Sequence, residues 1–198
     1  MKLRGFTLIE LLVTMAIMTL ITSVTLANHS EFGGKVLLRS AAYEMALAVR
    51  EAQTYGVSVR KINIGAGEFE SAYGIHFDAS DPTHYVMFTD TYAHNGMLVR
   101  GEDGLRNTYL EDVTTYTIGR GYKINKLCAG TGGSCVNVCD TCSGSLDITF
   151  KRPEPDASIR FAGSTSNVYD KAEVELISPR GDTIKMLVEV SGQISVIK

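Results

Sequence analysis

The chain predicts an α+β fold: a long N-terminal helix whose second half packs on an antiparallel β-sheet domain. Three observations predict it. From Phe6 to Ala27 every residue except Glu10 is apolar or a small hydroxyl, and no proline interrupts the run. From Leu38 to Tyr55 apolar residues recur at three- and four-residue steps, the period of a helix with one buried face. Beyond Gly56 the period shifts toward two, in short runs parted by Gly, Pro, Asp and Ser.

Each element follows from its residues. Phe6–Ala27 matches the roughly 20 apolar residues that cross a bilayer as a helix. No proline occurs before Pro82, so nothing sterically forbids a continuous helix from Phe6 onward. Asn28-His29-Ser30-Glu31-Phe32-Gly33-Gly34 is polar and ends in two glycines, each costing about 1 kcal/mol of helix propensity against alanine. A bend is expected there. Leu38, Ala41/Ala42, Met45, Ala48/Val49, Ala52 and Tyr55 then form one apolar stripe, read as core packing against a sheet. Arg39, Glu44, Arg50, Glu51 and Gln53 fill the other faces, and Gly56 is the expected stop.

The strand candidates are Val57–Ile64, Ser71–Phe77, Tyr85–Thr89, Thr114–Ile118, Tyr122–Leu127, Leu146–Phe150, Ser158–Phe161, Ala172–Ile177, Thr183–Val190 and Gln193–Ile197. Pro179-Arg180-Gly181-Asp182 and Ser191-Gly192 are the turns between the last three. No period of twenty to fifty residues repeats, which excludes a solenoid.

Composition narrows the function. Of 198 residues, roughly 140 remain for one domain once a leader and an anchor are set aside. The formal charge is -3, and Lys and Arg are scattered among acids, so no nucleic-acid partner is expected. His29, His76, His84 and His94 are unclustered, and neither a nucleophile motif nor HExxH is present. Gly130-Thr131-Gly132-Gly133 lacks the Lys-Ser/Thr of a phosphate loop. Asp78 and Asp81 carry the charge for calcium but no regular ligand series, which favours a solvated turn. The reading is a non-enzyme without cofactor or resident metal.

Glu10 is the residue that most needs an explanation. A carboxylate at bilayer depth costs roughly 2.5–3.5 kcal/mol on insertion scales, so it calls for a partner or a task. The positive group in reach is an α-amine on Phe6, which exists only if the chain is cut after Gly5. Lys2-Leu3-Arg4-Gly5-Phe6-Thr7-Leu8-Ile9-Glu10-Leu11-Leu12 resembles the type IV prepilin leader and cleavage site. The resemblance covers about the first thirty residues. It implies a pilin-like fold, cleavage after Gly5 by a membrane prepilin peptidase, N-methylation of Phe6, and an assembly role for Glu10. Each piece has a chemical reason. Gly5 lets the backbone lie extended in a protease cleft. Lys2 and Arg4 stay on the cytoplasmic face, and a methylated amine is still basic enough to pair with a carboxylate.

Two plainer readings compete. Thr25-Leu26-Ala27 offers small residues for an ordinary signal peptidase, and Phe6–Ala27 would serve as a simple signal anchor. Glu10 suits neither. A second resemblance, to the GspH/FimT-type minor pilins and pseudopilins, rests on Ala41–Val57 and on the ending Val190–Val196. The division expected is a leader over 1–5, a transmembrane or filament-core helix over 6–27, and its amphipathic continuation over 28–56. An extracytoplasmic β-rich domain over 57–198 completes it. The partners the resemblance implies are other pilin or pseudopilin subunits, the prepilin peptidase, an inner-membrane assembly platform and membrane lipid.

All four cysteines, Cys128, Cys135, Cys139 and Cys142, fall within one loop over 128–142. With Lys2 and Arg4 inside, that loop lies outside the cytoplasm, where disulfides persist. Zinc is disfavoured because Cys139-x-x-Cys142 has a knuckle spacing and Cys128/Cys135 do not. A redox pair at Cys139/Cys142 lacks a surrounding βαβ pattern. Three disulfide connectivities stand open, the nested one (Cys128–Cys142 with Cys135–Cys139) being preferred because it ties the ends of the loop. The expected function is a structural subunit of a type IV pilus or type II secretion pseudopilus. The alternatives are a minor tip subunit acting as a binding module, or a protein secreted after cleavage at Ala27.

Overall fold

The computed structural model describes residues 5–58, 72–90, 98, 112–131, 134–137, 144–161 and 169–197. The chain divides into two units, Met1–Leu37 and Leu38–Lys198. A single helix, α1 (Leu8–Val57), begins in the first and ends in the second. The polar stretch Asn28–Gly34 remains helical, so the expected bend does not break the helix. Its two glycines weaken propensity, but helix already formed on both sides makes propagation easy.

Within the first unit, Leu8–Leu26 is apolar, with a mean hydropathy of 2.0, and none of it is buried. Four threonines interrupt this run without leaving free hydroxyls. Thr14 donates to the Leu11 carbonyl at 2.9 Å, Thr19 to Ala16 at 2.9 Å, Thr22 to Met18 at 2.7 Å and Thr25 to Thr22 at 2.9 Å. Each hydroxyl is satisfied inside the helix, which makes the segment compatible with a solvent that offers no hydrogen bonds.

The second unit holds two five-stranded antiparallel sheets. The first contains β1 (Ala72–Asp78), β2 (His84–Asp90), β3 (Asp112–Thr117), β6 (Ser145–Phe150) and β7 (Ala157–Phe161), in the order β3-β2-β1-β6-β7. The second contains β4 (Lys123–Thr131), β5 (Ser134–Asn137), β8 (Lys171–Ile177), β9 (Thr183–Glu189) and β10 (Ile194–Ile197), in the order β10-β9-β8-β4-β5. Local hairpins supply most pairings. The exceptions are β1 with β6 and β4 with β8, which bring distant segments together. The strand expected from Val57 begins instead as helix and a bend, and its remainder lies outside the described residues. β5 was not anticipated, because the cysteine- and glycine-rich window reads as loop.

One hydrophobic cluster joins the helix to both sheets. Leu38, Ala42, Met45, Ala48, Val49 and Ala52 are buried along α1, the stripe its periodicity predicts. Facing residues include Ile75, Phe77, Met87, Leu146, Ile148 and Phe150 from the first sheet. Val174, Leu176, Met186 and Val188 come from the second, where β8 and β9 alternate buried and half-buried positions. Gly56 differs from its expected role. It lies inside the helix, and a Cβ there would strike the carbonyl oxygen of Phe150. Close approach to β6, rather than helix termination, is what requires glycine. Gln53, which falls outside the apolar stripe, is buried as well.

Candidate processing and assembly site

The N-terminal residues are arranged by the start of α1. Gly5 and Phe6 precede the helix and are exposed, and a Cβ at Gly5 would meet nothing within 4 Å. Phe6 is 75% exposed, an arrangement that for a large aromatic calls for burial against something else. Lys2 and Arg4 lie outside the described residues. Thr7 caps the helix: its Oγ1 accepts the Glu10 backbone N–H at 3.4 Å, and its carbonyl accepts the Leu11 N–H at 3.2 Å. Thr7-x-x-Glu10 is therefore a capping-box sequence. The bond observed is to the Glu10 backbone N–H, so it places no demand on the side chain at this position. A capping box accepts glutamine as readily as glutamate, so the cap alone does not require a charge at this depth.

The helix behind this site is an apolar surface with nothing on it. Leu8, Ile9, Met15, Met18, Leu20 and Leu26 are each more than 60% exposed. Burying such a side chain is worth about 1.5–3 kcal/mol.

Cys128 and Cys135 fall on β4 and β5, at one edge of the second sheet. Cys128 is buried on β4 and is placed as a disulfide cysteine. It pairs in register with Asn137 on one side and Glu173 on the other, whereas its neighbours Leu127 and Ala129 belong to the hydrophobic cluster. Alternation along the strand puts Cys128 on the face turned away from that core. Cys135 lies on β5, in register with Gly130 of β4. Cys139 and Cys142 lie outside the described residues.

Other polar residues make local and cross-strand hydrogen bonds. His76 and Asp147, unrelated in sequence, face each other across β1 and β6, with Nδ1 and Oδ1 2.7 Å apart. Asp147 also accepts the Leu98 N–H at 3.3 Å. Both side chains are buried on the sheet face opposite the helix. Asp78 accepts the N–H and hydroxyl of Ser80, whereas Asp81 accepts from Thr83 and pairs with His84 at 2.9 Å. The His84 hydrogen bond holds Asp81 below its ordinary value. Each carboxylate thus serves its own turn. Glu51 accepts from the Tyr55 and Tyr116 hydroxyls at 2.6 and 3.1 Å, tying α1 to β3. Burial first, then the Glu51 carboxylate, pushes the Tyr116 phenol up to about 12. His29 and His94 have no described side chain.

Residues 1–26 match the prokaryotic N-terminal methylation motif. The chain therefore carries the signal of a type IV prepilin or pseudopilin at its N-terminus. No curated protein and no solved structure matches the chain significantly.

Proposed function

We propose that the protein is a structural subunit of a type IV pilus or type II secretion pseudopilus, cut after Gly5 and N-methylated on Phe6. The observation that carries this reading is the conjunction of the methylation motif with an apolar helix wholly bare of contacts over Leu8–Leu26. Before assembly the bilayer covers that surface. In a filament, neighbouring helices cover it, and dispersion contacts replace those made with lipid. The β-rich unit lies outside the cytoplasm, and Cys128 with the other three cysteines is oxidised there, the nested pairing closing the loop. Because Cys128 sits on the face away from the core, the cystines secure the surface and not the central packing.

Glu10 has two partners in sequence. In the monomer it lies one helical turn from Phe6 and neutralises the amine on its own chain. In the filament it meets the Phe6 amine of a neighbour, which fixes the axial register. Glu10→Val leaves insertion and cleavage intact but leaves the amine unpaired at a buried contact, a loss of roughly 3–5 kcal/mol where a buried pair is broken. The expected outcome is processed monomer in the membrane and no incorporation into filaments. Glu10→Gln separates the charge from the cap, since it keeps the capping box; it should fail like Glu10→Val, whereas Glu10→Asp should be intermediate. Wild-type incorporation of the Gln variant would assign Glu10 to the cap alone.

A further inference from the structure

Gln53 is only 7% exposed near the end of α1, and its carboxamide reaches two distant connections and one residue of its own helix. Nε2 donates to the Pro155 carbonyl at 3.0 Å, in the connection between β6 and β7 of the first sheet. The same nitrogen donates to the Gly192 carbonyl at 3.1 Å, in the turn between β9 and β10 of the second. Oε1 accepts from the Arg50 guanidinium at 2.7 Å. The orientation of the amide is settled by its partners, since the reverse would set an acceptor against two carbonyl oxygens. The backbone closes around it: the Ala157 N–H donates to the Val190 carbonyl at 2.8 Å, and the Val190 N–H to Asp170 at 2.8 Å. Gly192 has φ +78, and a Cβ there would strike the Pro155 carbonyl oxygen and lie 2.5 Å from Gln53 Nε2. The seam is therefore too tight for any residue but glycine at that turn.

We propose that Gln53 is the coupler of the domain: it makes the helix and the two sheets open at this end as one cooperative unit. The two carbonyls it joins lie in connections of different sheets, and the Ala157–Val190 backbone bond crosses the same seam. Removing the amide leaves the buried Gly192 carbonyl and the half-buried Pro155 carbonyl without this donor, and the deficit falls on the seam instead of the sheet interiors. On the filament-subunit reading, a pull borne by α1 is then delivered to both sheets together. The coupling itself does not depend on that reading and is tested apart from it.

The test is hydrogen exchange followed by mass spectrometry on the full chain in detergent micelles, comparing wild type with Gln53→Leu. Loss of the donor should speed exchange of the Ala157, Val190 and Gly192 amides by about tenfold or more. Segments from β1 and β2 should change by less than about twofold. Unchanged exchange at the seam, or an equal increase in every strand, would overturn the proposal, because a merely stabilising amide predicts the uniform pattern. Should Gln53→Leu fail to fold, Gln53→Glu serves in its place. It keeps the Arg50 contact and sets a carboxylate against the two carbonyls, so it must give the same local pattern. A correctly methylated or unmethylated N-terminus has no bearing on this outcome, so the two readings fail separately.

Discussion

Replacing Gly56 by alanine sets two rules for helices against each other. Alanine gains about 1 kcal/mol over glycine in a helix interior, so helix propensity alone forecasts a more stable protein. The surroundings of Gly56 reverse that sign. A Cβ there runs into the Phe150 carbonyl oxygen, with the Phe150 carbonyl carbon and Cβ each 2.9 Å away. None of these atoms is the free end of a flexible side chain. Phe150 is fully buried and paired to Tyr73 on one side and Ala157 on the other, so β6 has little freedom to retreat. Overpacking costs about 1–3 kcal/mol where neighbours yield, and backbone held from both sides belongs at or beyond the upper end. The net expectation is a loss of about 2 kcal/mol. Urea denaturation of the full chain in micelles, followed by circular dichroism, should show the midpoint lowered by roughly 1 M at unchanged slope. Gly34→Ala is the internal control, because a Cβ at Gly34 meets nothing within 4 Å. It should instead slow amide exchange in the adjoining turn. A Gly56→Ala protein as stable as wild type would refute the close-approach account of this glycine.

Two further outcomes are expected. Nonreducing peptide mapping of protein from the cell envelope should find Cys128, Cys135, Cys139 and Cys142 all oxidised, with Cys128 linked to Cys142; free thiols or bound zinc would remove the disulfide reading. Burial raises the Glu173 carboxyl, but hydrogen bonds from Lys171 and Lys185 outweigh it and leave it below its ordinary 4.5. A folded value below the unfolded one contributes stability above about pH 4.5 that is lost as pH falls through the folded value. These partners are partly exposed, so the contribution is at most about 1 kcal/mol. Glu173→Gln should accordingly flatten the acid limb of a urea-midpoint titration, and an unaltered limb would show that the lysines add nothing.

The parts of the fold legible in the sequence are those set by local period. Leu38 to Ala52 announced the buried face of α1 because helical spacing brings those residues into line, and Ala172/Val174/Leu176 announced β8 by strict alternation. Pro179–Asp182 and Ser191-Gly192 marked their turns through residue chemistry, and both hairpins form there. The division into two sheets was not legible. It depends on β1 finding β6 and β4 finding β8, pairings set by tertiary packing and carried by no short motif. Gln53 looked like a surface residue because its partners, Pro155 and Gly192, lie more than a hundred positions away. The His76–Asp147 pair was hidden for the same reason, being 71 residues apart. At the N-terminus Gly5, Phe6 and Glu10 stand close enough in sequence to form one motif, and residues 1–26 match the methylation motif. What escaped there was the cap, although Thr7 stands three residues before Glu10 in plain view.

The filament-subunit assignment turns on where the mature chain begins. Intact-mass and N-terminal peptide analysis of the protein from membranes or filaments should find N-methylated Phe6 as the first residue. Gly5→Val should abolish that product and leave an uncut precursor in the membrane. A mature chain beginning at Asn28 would establish ordinary signal-peptide cleavage after Ala27 and contradict the filament-subunit assignment.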